Sequence, residues 1–192
     1  MKLIYIDCYY GFDASMLLAA LIDAGASEDK IRELISQQTD EFLLEVSEGT
    51  ACSVECKTAH TEGISAENRY GLLNPCVGEA VMAAIKAIGA DFVISSPLGV
   101  PDNLDGDILS LIENNGLETK PYDGRYFHQS DAVFLSHIIS ESGPLPDMEI
   151  LSVGYGCRSD ISDSLVTVYV GSYGDSFAKE ELQYENSYSK CQ

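Results

Sequence analysis

The chain opens with a short apolar run that leads directly into an amphipathic helix. Residues 3–8 are rich in β-branched and aromatic side chains, which favours a strand, and the run ends at Gly11. Asp13 follows as a helix N-cap residue, and apolar side chains then recur on one helical face as far as Gly25. The pattern predicts a strand, a turn and a helix, followed by a second short helix that Ser27 caps.

Alternation of apolar and polar residues replaces the helical period in the next part of the chain. Residues 41–48 and 51–58 alternate on either side of Glu48-Gly49-Thr50. This arrangement is typical of a hairpin with one solvated face. The polar residues 60–74 that follow are expected to form a connection between regular elements.

Helical and strand patterns alternate through the rest of the chain. Helices are predicted over 76–88, 105–114 and 129–142, and strands over 91–95, 117–120, 148–154 and 165–171. The elements predict an α/β fold with a mixed, largely parallel sheet flanked by helices and a hairpin near residues 41–58. Residues 1–171 are expected to form a single domain, and residues 172–192 a polar, Tyr-rich tail.

Composition and charge narrow the classes of protein. The 192 residues are 45% hydrophobic, enough to bury a core. The net charge of −20 repels phosphate backbones and anionic lipids, so neither a nucleic-acid nor a membrane-surface role is expected. Apolar runs stay shorter than the roughly 18 residues that span a bilayer, which predicts a cytoplasmic protein. The six scattered cysteines are expected to be reduced thiols rather than a disulfide framework.

Several motifs resemble those of one family. Residues 7–16 read Asp-Cys-Tyr-Tyr-Gly-Phe-Asp-Ala-Ser-Met, and the helix after them closes with Asp-Ala-Gly at 23–25. A Ser-Pro pair at 96–97 follows the strand predicted over 91–95, and Gly-Tyr-Gly stands at 154–156. In this order they resemble the LarC family of nickel insertion proteins, whose opening motif reads Asp-Cys-x-Ser-Gly-x-Ser-Gly-Asp-Met.

The resemblance implies a role in inserting nickel into the nickel-pincer cofactor, with nickel as the metal handled. Several polar motif positions differ, because Tyr10 replaces a Ser and Ser15 replaces the Asp of Gly-Asp-Met. The family's His-Phe-His-Glu-Val-Gly segment and its nucleotide-binding C-terminal domain have no counterpart in the sequence. The resemblance therefore implies a chain that needs a partner, either a separate subunit of the C-terminal type or a second copy of itself, and it leaves open whether chelatase activity survives.

The opening turn is the first candidate ligand site. Asp7 ends a strand at the edge where open α/β sheets bind ligands, and the helix after Asp13 offers N–H groups to an anion. The alternative is that both carboxylates only cap the turn. The candidate ligand-binding residues at these motif positions are Asp7, Tyr10, Gly11, Asp13, Ser15, Gly154, Tyr155 and Gly156.

Cys56 and His60 are the candidate metal ligands. A spacing of four residues projects both side chains from one face of an extended strand, and a thiolate with an imidazole suits nickel or zinc. Cys52 has the same spacing from Cys56, but about 13 Å of strand separates those two, too far for one ion unless the strand bends. Cysteines that only pack in a core remain the alternative.

Three functions remain open on the sequence alone. The first is a LarC-like protein that binds a metal, an anionic small molecule or a partner. The second is a noncatalytic interaction or scaffold subunit of a cytosolic complex. The third is a small-molecule enzyme that uses the Asp7 and Asp13 turn. His128, Ser130 and Asp131 superficially resemble a nucleophilic set, but three neighbours in one turn do not form the required relay.

Overall fold

A computed structural model of the protein describes residues 1–37, 41–63, 72, 74–122 and 128–173. Five helices form in these ranges: α1 (Ala14–Asp23), α2 (Glu28–Ser36), α3 (Pro75–Ile88), α4 (Gly106–Asn114) and α5 (Gln129–Ile138). The strands in the same ranges are β1 (Lys2–Asp7), β2 (Phe42–Ala51), β3 (Val54–Gly63), β4 (Phe92–Ser95), β5 (Leu98–Val100), β6 (Thr119–Pro121), β7 (Glu141–Ser142), β8 (Glu149–Arg158) and β9 (Ile161–Ser172).

Seven of these strands form one mixed sheet in the order β2-β3-β8-β9-β1-β4-β7. The pairs β3–β8, β1–β4 and β4–β7 are parallel, and the other three neighbouring pairs are antiparallel. Strands β5 and β6 form a separate parallel pair. The predicted mixed α/β fold is confirmed, although β5 was not predicted and the helix predicted over 129–142 ends at Ile138, before β7.

Helix α1 packs at the centre of the core against β8. Eight of its ten residues are buried. Gly154 and Gly156 lie directly beneath it, because a Cβ on Gly154 would overlap the carbonyl oxygen of Ala20 and one on Gly156 that of Met16. The missing side chains let the strand approach the helix backbone closely. This contact fixes the position of α1, whose first turn forms part of the site below.

The hairpin turns three residues later than the sequence predicts. Its turn is Cys52-Ser53, with φ of 51° and 63°, rather than Glu48-Gly49-Thr50. Left-handed values at both central residues are those of a type I′ turn, whose twist matches paired strands. Gly49 instead lies within β2 opposite Cys56. The connection predicted from residue 60 is also wrong for residues 60–63, which belong to β3.

Cys56 and Cys157 form a disulfide, so the prediction of reduced thiols is wrong for this pair. Lys57 of β3 pairs with Gly156 of β8, and alternation along both strands places the neighbouring cysteines together on the opposite face. Their Cα atoms are 6.1 Å apart, whereas 101 residues separate them along the chain. Local spacing in the sequence therefore carries no sign of the bond.

The two ends of the described chain lie side by side. The backbone N–H of Tyr173 donates to the carbonyl of Met1 at 2.9 Å, just after β9 ends at Ser172. Residues 174–192, most of the predicted tail, lie outside the described residues, so the division into 1–171 and 172–192 stays a prediction. Within the described ranges, no helix is long and apolar enough to cross a membrane.

Candidate functional site

A cleft of about 680 Å³ opens where the first turns of three helices meet the hairpin. The starts of α1, α3 and α5 line it together with β2, β3 and the turn between β8 and β9. Its charged, imidazole and hydroxyl lining includes Asp13, Ser15, Glu45, His60, His128, Asp131, Arg158 and Asp160. The cleft has the size of a small-molecule site, which is typically about 300–1,000 Å³.

Asp13 fixes the start of α1 at the cleft. Its Oδ1 accepts hydrogen bonds from the backbone N–H groups of Ser15 at 2.7 Å and Met16 at 3.2 Å, and from the Ser15 hydroxyl. These bonds satisfy donors that the first turn of a helix otherwise leaves open. The predicted N-cap is confirmed. Asp13 is nevertheless more than a cap, because its second oxygen faces a cation.

Arg158 joins the turn after β8 to the start of α1. Its Nη1 lies 3.1 Å from Oδ2 of Asp13. Its Nε and Nη2 each donate to one oxygen of Asp160 at 2.9 Å, in the bidentate geometry that suits a guanidinium and a carboxylate. The Arg158 hydrogen bonds hold the pKa of Asp160 below its usual range. The guanidinium is thus held at the cleft by two carboxylates.

Asp131, in the first turn of α5, is the second buried carboxyl group at this point. It is 7% exposed, and its Oδ1 accepts from the backbone N–H of Ala14 at 3.4 Å. Burial raises its pKa to about 7, repulsion from Asp13 adds to the rise, and the Ala14 N–H and Arg158 oppose it. Asp131 therefore changes charge near neutral pH, unlike an ordinary surface carboxyl.

Two imidazoles stand on different walls of the cleft. His60 lies on β3, where the strand register places it opposite Glu45, and its Nε2 is 3.1 Å from Oε1 of Glu62. His128 is the N-cap residue of α5. Among the described residues, no group of three or more His, Cys, Asp or Glu side chains is arranged to hold a metal ion. The cleft offers metal donors without a closed ligand set.

The structure brings only some of the predicted site residues together. Asp13, Ser15 and His60 line the cleft. Cys56 lies on the same face of β3 as His60, but its sulfur is bonded to Cys157. While that bond persists, Cys56 has no thiolate to offer with His60.

The other motif positions perform structural tasks away from the cleft. Asp7 accepts the N–H of Tyr9 at 3.3 Å and so caps the turn, which was the alternative explanation for this residue. Gly11 occupies the turn itself with φ of 109°. The N–H of Tyr155 donates to Asp23 at 2.9 Å, next to the two glycines beneath α1.

Tyr10 belongs to an aromatic cluster that is outside the cleft lining. Its ring centroid lies 5.1 Å from that of Tyr9 and 6.1 Å from that of Tyr122, and its side chain is largely exposed. Tyr9 and Tyr122 are also in contact, at 5.5 Å. The three rings pack mainly on one another.

Cys8 of the opening motif is buried and unreactive. Burial raises the pKa of its thiol to about 12, although a hydrogen bond with Ser96 opposes the rise. A thiol of this kind stays protonated at neutral pH. Cys8 therefore packs as a protonated thiol in the core.

The sequence interpretation missed Arg158, Asp131, His128 and Asp160 as residues of one site. Asp131 and His128 were considered only as part of a nucleophilic set and rejected. Arg158 was not among the candidate residues. The signal that unites them is spatial, because the Arg158 contact with Asp13 spans 145 residues of sequence.

Comparison with known proteins identifies a family. The family model described as nickel insertion protein matches residues 4–120, more than half of the chain. The matched part includes α1 with Asp13 and the hairpin with Glu45 and His60, whereas Asp131 and Arg158 lie beyond it. No curated protein and no solved structure matches the chain.

Proposed function

Because the chain belongs to the nickel insertion protein family, we propose that its cleft receives a nickel ion together with an acceptor molecule that completes the coordination of the ion. One observation carries this proposal. The cleft has carboxylate and imidazole donors, yet no three of the described donors form a closed metal site. Nickel is then a substrate in transit, not a resident cofactor.

The charge of the cleft supports the arrival of a cation. Four carboxyl groups and one guanidinium stand among its described lining residues, and the whole chain has a net charge of −20. A negative field raises the local concentration of cations. Imidazole nitrogen is a common nickel donor, so His60 and His128 are the first side chains we assign to the ion.

An incomplete set of protein ligands suits transfer. An ion whose coordination positions are all filled by protein ligands dissociates slowly. Open coordination positions let an acceptor bind the ion before the protein releases it. The nickel-pincer cofactor is the acceptor that the family context indicates. Arg158 is placed to orient an anionic group of that acceptor, since a guanidinium pairs with carboxylate or phosphate through two parallel hydrogen bonds.

The proposed function also includes a partner subunit. We propose that the chain acts in the cytoplasm with a separate subunit of the family's C-terminal type, or with a second copy of itself, rather than catalysing alone. The exposed Tyr10, which packs on Tyr9 and Tyr122, favours an additional interaction role, because exposed aromatic side chains are frequent anchors at protein interfaces. The hypothesis of an enzyme that uses the Asp7 and Asp13 turn stays a prediction, with Asp13 at the cleft and Asp7 capping the turn.

Calorimetric titration with Ni²⁺ tests the assignment of the imidazoles. We expect saturable binding to the full chain, weakened about tenfold or more in His60→Ala and in His128→Ala, because each loses a nitrogen donor. His137→Ala is the matched control. His137 lies at the other end of α5, with Nδ1 at 2.7 Å from the carbonyl of Val133, so its loss should leave the affinity unchanged. A flat titration, or an equal loss in all three variants, would reject the nickel proposal.

A further inference from the structure

The Cys56–Cys157 bond lies at the wall of the cleft. Cys157 is one of the lining residues, and both cysteines are 2% exposed. Thr58 and His60, which also line the cleft, lie on the same face of β3 as Cys56. Two sulfur atoms therefore lie beside the cleft proposed to receive nickel, as a disulfide without negative charge.

We propose that reduction of this disulfide converts Cys56 and Cys157 into a two-thiolate nickel site that opens on the cleft. The inference rests on the proposed function and adds its regulation. With the disulfide intact, the cleft binds nickel only through nitrogen and oxygen donors. After reduction, the thiolate pair holds the ion more tightly.

The backbone is already placed for two sulfurs to share one ion. Metal–sulfur bonds of about 2.3 Å at ordinary coordination angles need sulfur atoms roughly 3.3–3.8 Å apart. Neighbouring strands place the two Cα atoms 6.1 Å from each other. At this separation, rotation of the two side chains alone can bring the sulfur atoms to the distance that a shared ion requires. Pairing of Lys57 with Gly156 holds the two strands in this register whether or not the disulfide is present.

Gly49 lets the two sulfur atoms approach the backbone of β2 closely. A Cβ at this position would lie 3.0 Å from Sγ of Cys157 and 3.7 Å from Sγ of Cys56. Glycine within a strand is unfavourable unless another group approaches closely. The remaining cover is apolar, from Ala51, Tyr155 and Leu165. The two sulfurs are thus closely packed, against the backbone of Gly49 on one side and apolar side chains on the other.

The chemistry needs a dithiol reductant. One thiolate of the reductant attacks a sulfur of the disulfide to give a mixed disulfide and one cysteine thiolate. The second thiol then closes a cyclic disulfide in the reductant and releases the other cysteine, so two electrons pass to the protein. Binding of Ni²⁺ afterwards displaces one proton from each thiol, and the nickel keeps its charge of 2+. Thiolates are soft ligands that bind nickel strongly.

The test compares the full chain with its disulfide intact and after dithiol reduction, with the reductant removed without air. Ni²⁺ alone is titrated while heat and absorbance are recorded. We expect a thiolate-to-nickel charge-transfer band only in the reduced protein, with at least about tenfold tighter binding. Cys157→Ser should abolish the band. Cys52→Ser, at the exposed free cysteine of the hairpin turn, should keep it.

The outcomes separate this inference from the proposed function. Equal affinity in both redox states without a band overturns the thiolate site and leaves nickel binding by the cleft intact. A band that persists in Cys157→Ser also overturns the site, because its sulfur then comes from elsewhere. No binding in either state contradicts both proposals. The comparison of the two redox states needs no substitution, so it decides the question even if Cys157→Ser does not fold.

Discussion

Gly156→Ala should destabilise the protein by about 3 kcal/mol or more, the upper part of the range for overpacked cores. The added methyl group would overlap the carbonyl oxygen of Met16 and lie 2.6 Å from the backbone nitrogen of Ala20. Both atoms belong to the backbone of α1, which no rotamer change can move aside. The helix would have to lift from β8 and lose packing along its buried face.

Gly106→Ala is the matched control for this substitution. Gly106 is the first residue of α4, and a Cβ there would meet nothing within 4 Å. Alanine is the better helix former, so we expect a gain in stability of about 0.5–1 kcal/mol. Urea unfolding of both variants measures the two free energies. Small effects of similar size in the two variants would contradict the close contact between Gly156 and the backbone of α1.

Asp131→Asn should stabilise the protein by about 3–4 kcal/mol near pH 8, since about 1.4 kcal/mol accompanies each unit of pKa shift. The pKa of Asp131 is about 7 in the folded chain, against an ordinary value of 3.8. An uncharged Asn removes the cost of burying a carboxylate beside Asp13, and its amide oxygen can still accept from Ala14. Loss of a negative charge at the start of α5 offsets about 0.5–1 kcal/mol of the gain.

The sign of the pH dependence follows from the raised pKa. As the pH rises from about 4 to about 7, the unfolded chain loses the Asp131 proton before the folded chain does. The contribution of Asp131 to the free energy of unfolding of the parent protein therefore falls across this pH window. Above the window the contribution stays constant. In Asp131→Asn that contribution to the fall should vanish.

Thermal melts across this pH range check the prediction against a control. Asp107→Asn changes an exposed carboxyl group in the first turn of α4, where no buried charge is relieved. It should leave the pH slope of the parent protein in place and slightly lower the stability. Identical pH profiles in the parent protein and Asp131→Asn would mean that Asp131 ionises as an ordinary surface carboxyl.

Local patterns in the sequence predict the elements better than their arrangement. The caps at Asp13, Ser27 and Asp105 identify three helix starts, because capping depends on neighbours in the chain. The hairpin turn was misplaced because Gly49 is typical of a turn, whereas its true role is to make room for a sulfur of another strand. The order of the sheet depends on such distant contacts, which periodicity does not report.

The residues of the site also differ in whether local patterns or distant contacts identify them. Asp13, Ser15 and His60 were found because family motifs or strand spacing identified them. Asp131 and Arg158 reach the site through contacts across 117 and 145 residues. The raised pKa of Asp131 likewise arises from burial and from Asp13, neither of which can be read from the residues beside it.

X-ray absorption at the nickel edge, on the full chain with its disulfide intact, tests the central claim most directly. We expect a nickel ion with only nitrogen and oxygen ligands, one or two imidazoles among them, and an imidazole signal that disappears when His60 and His128 are both replaced by Ala. A spectrum that is the same with and without these two histidines would contradict the assignment of the cleft as the place where the chain receives nickel.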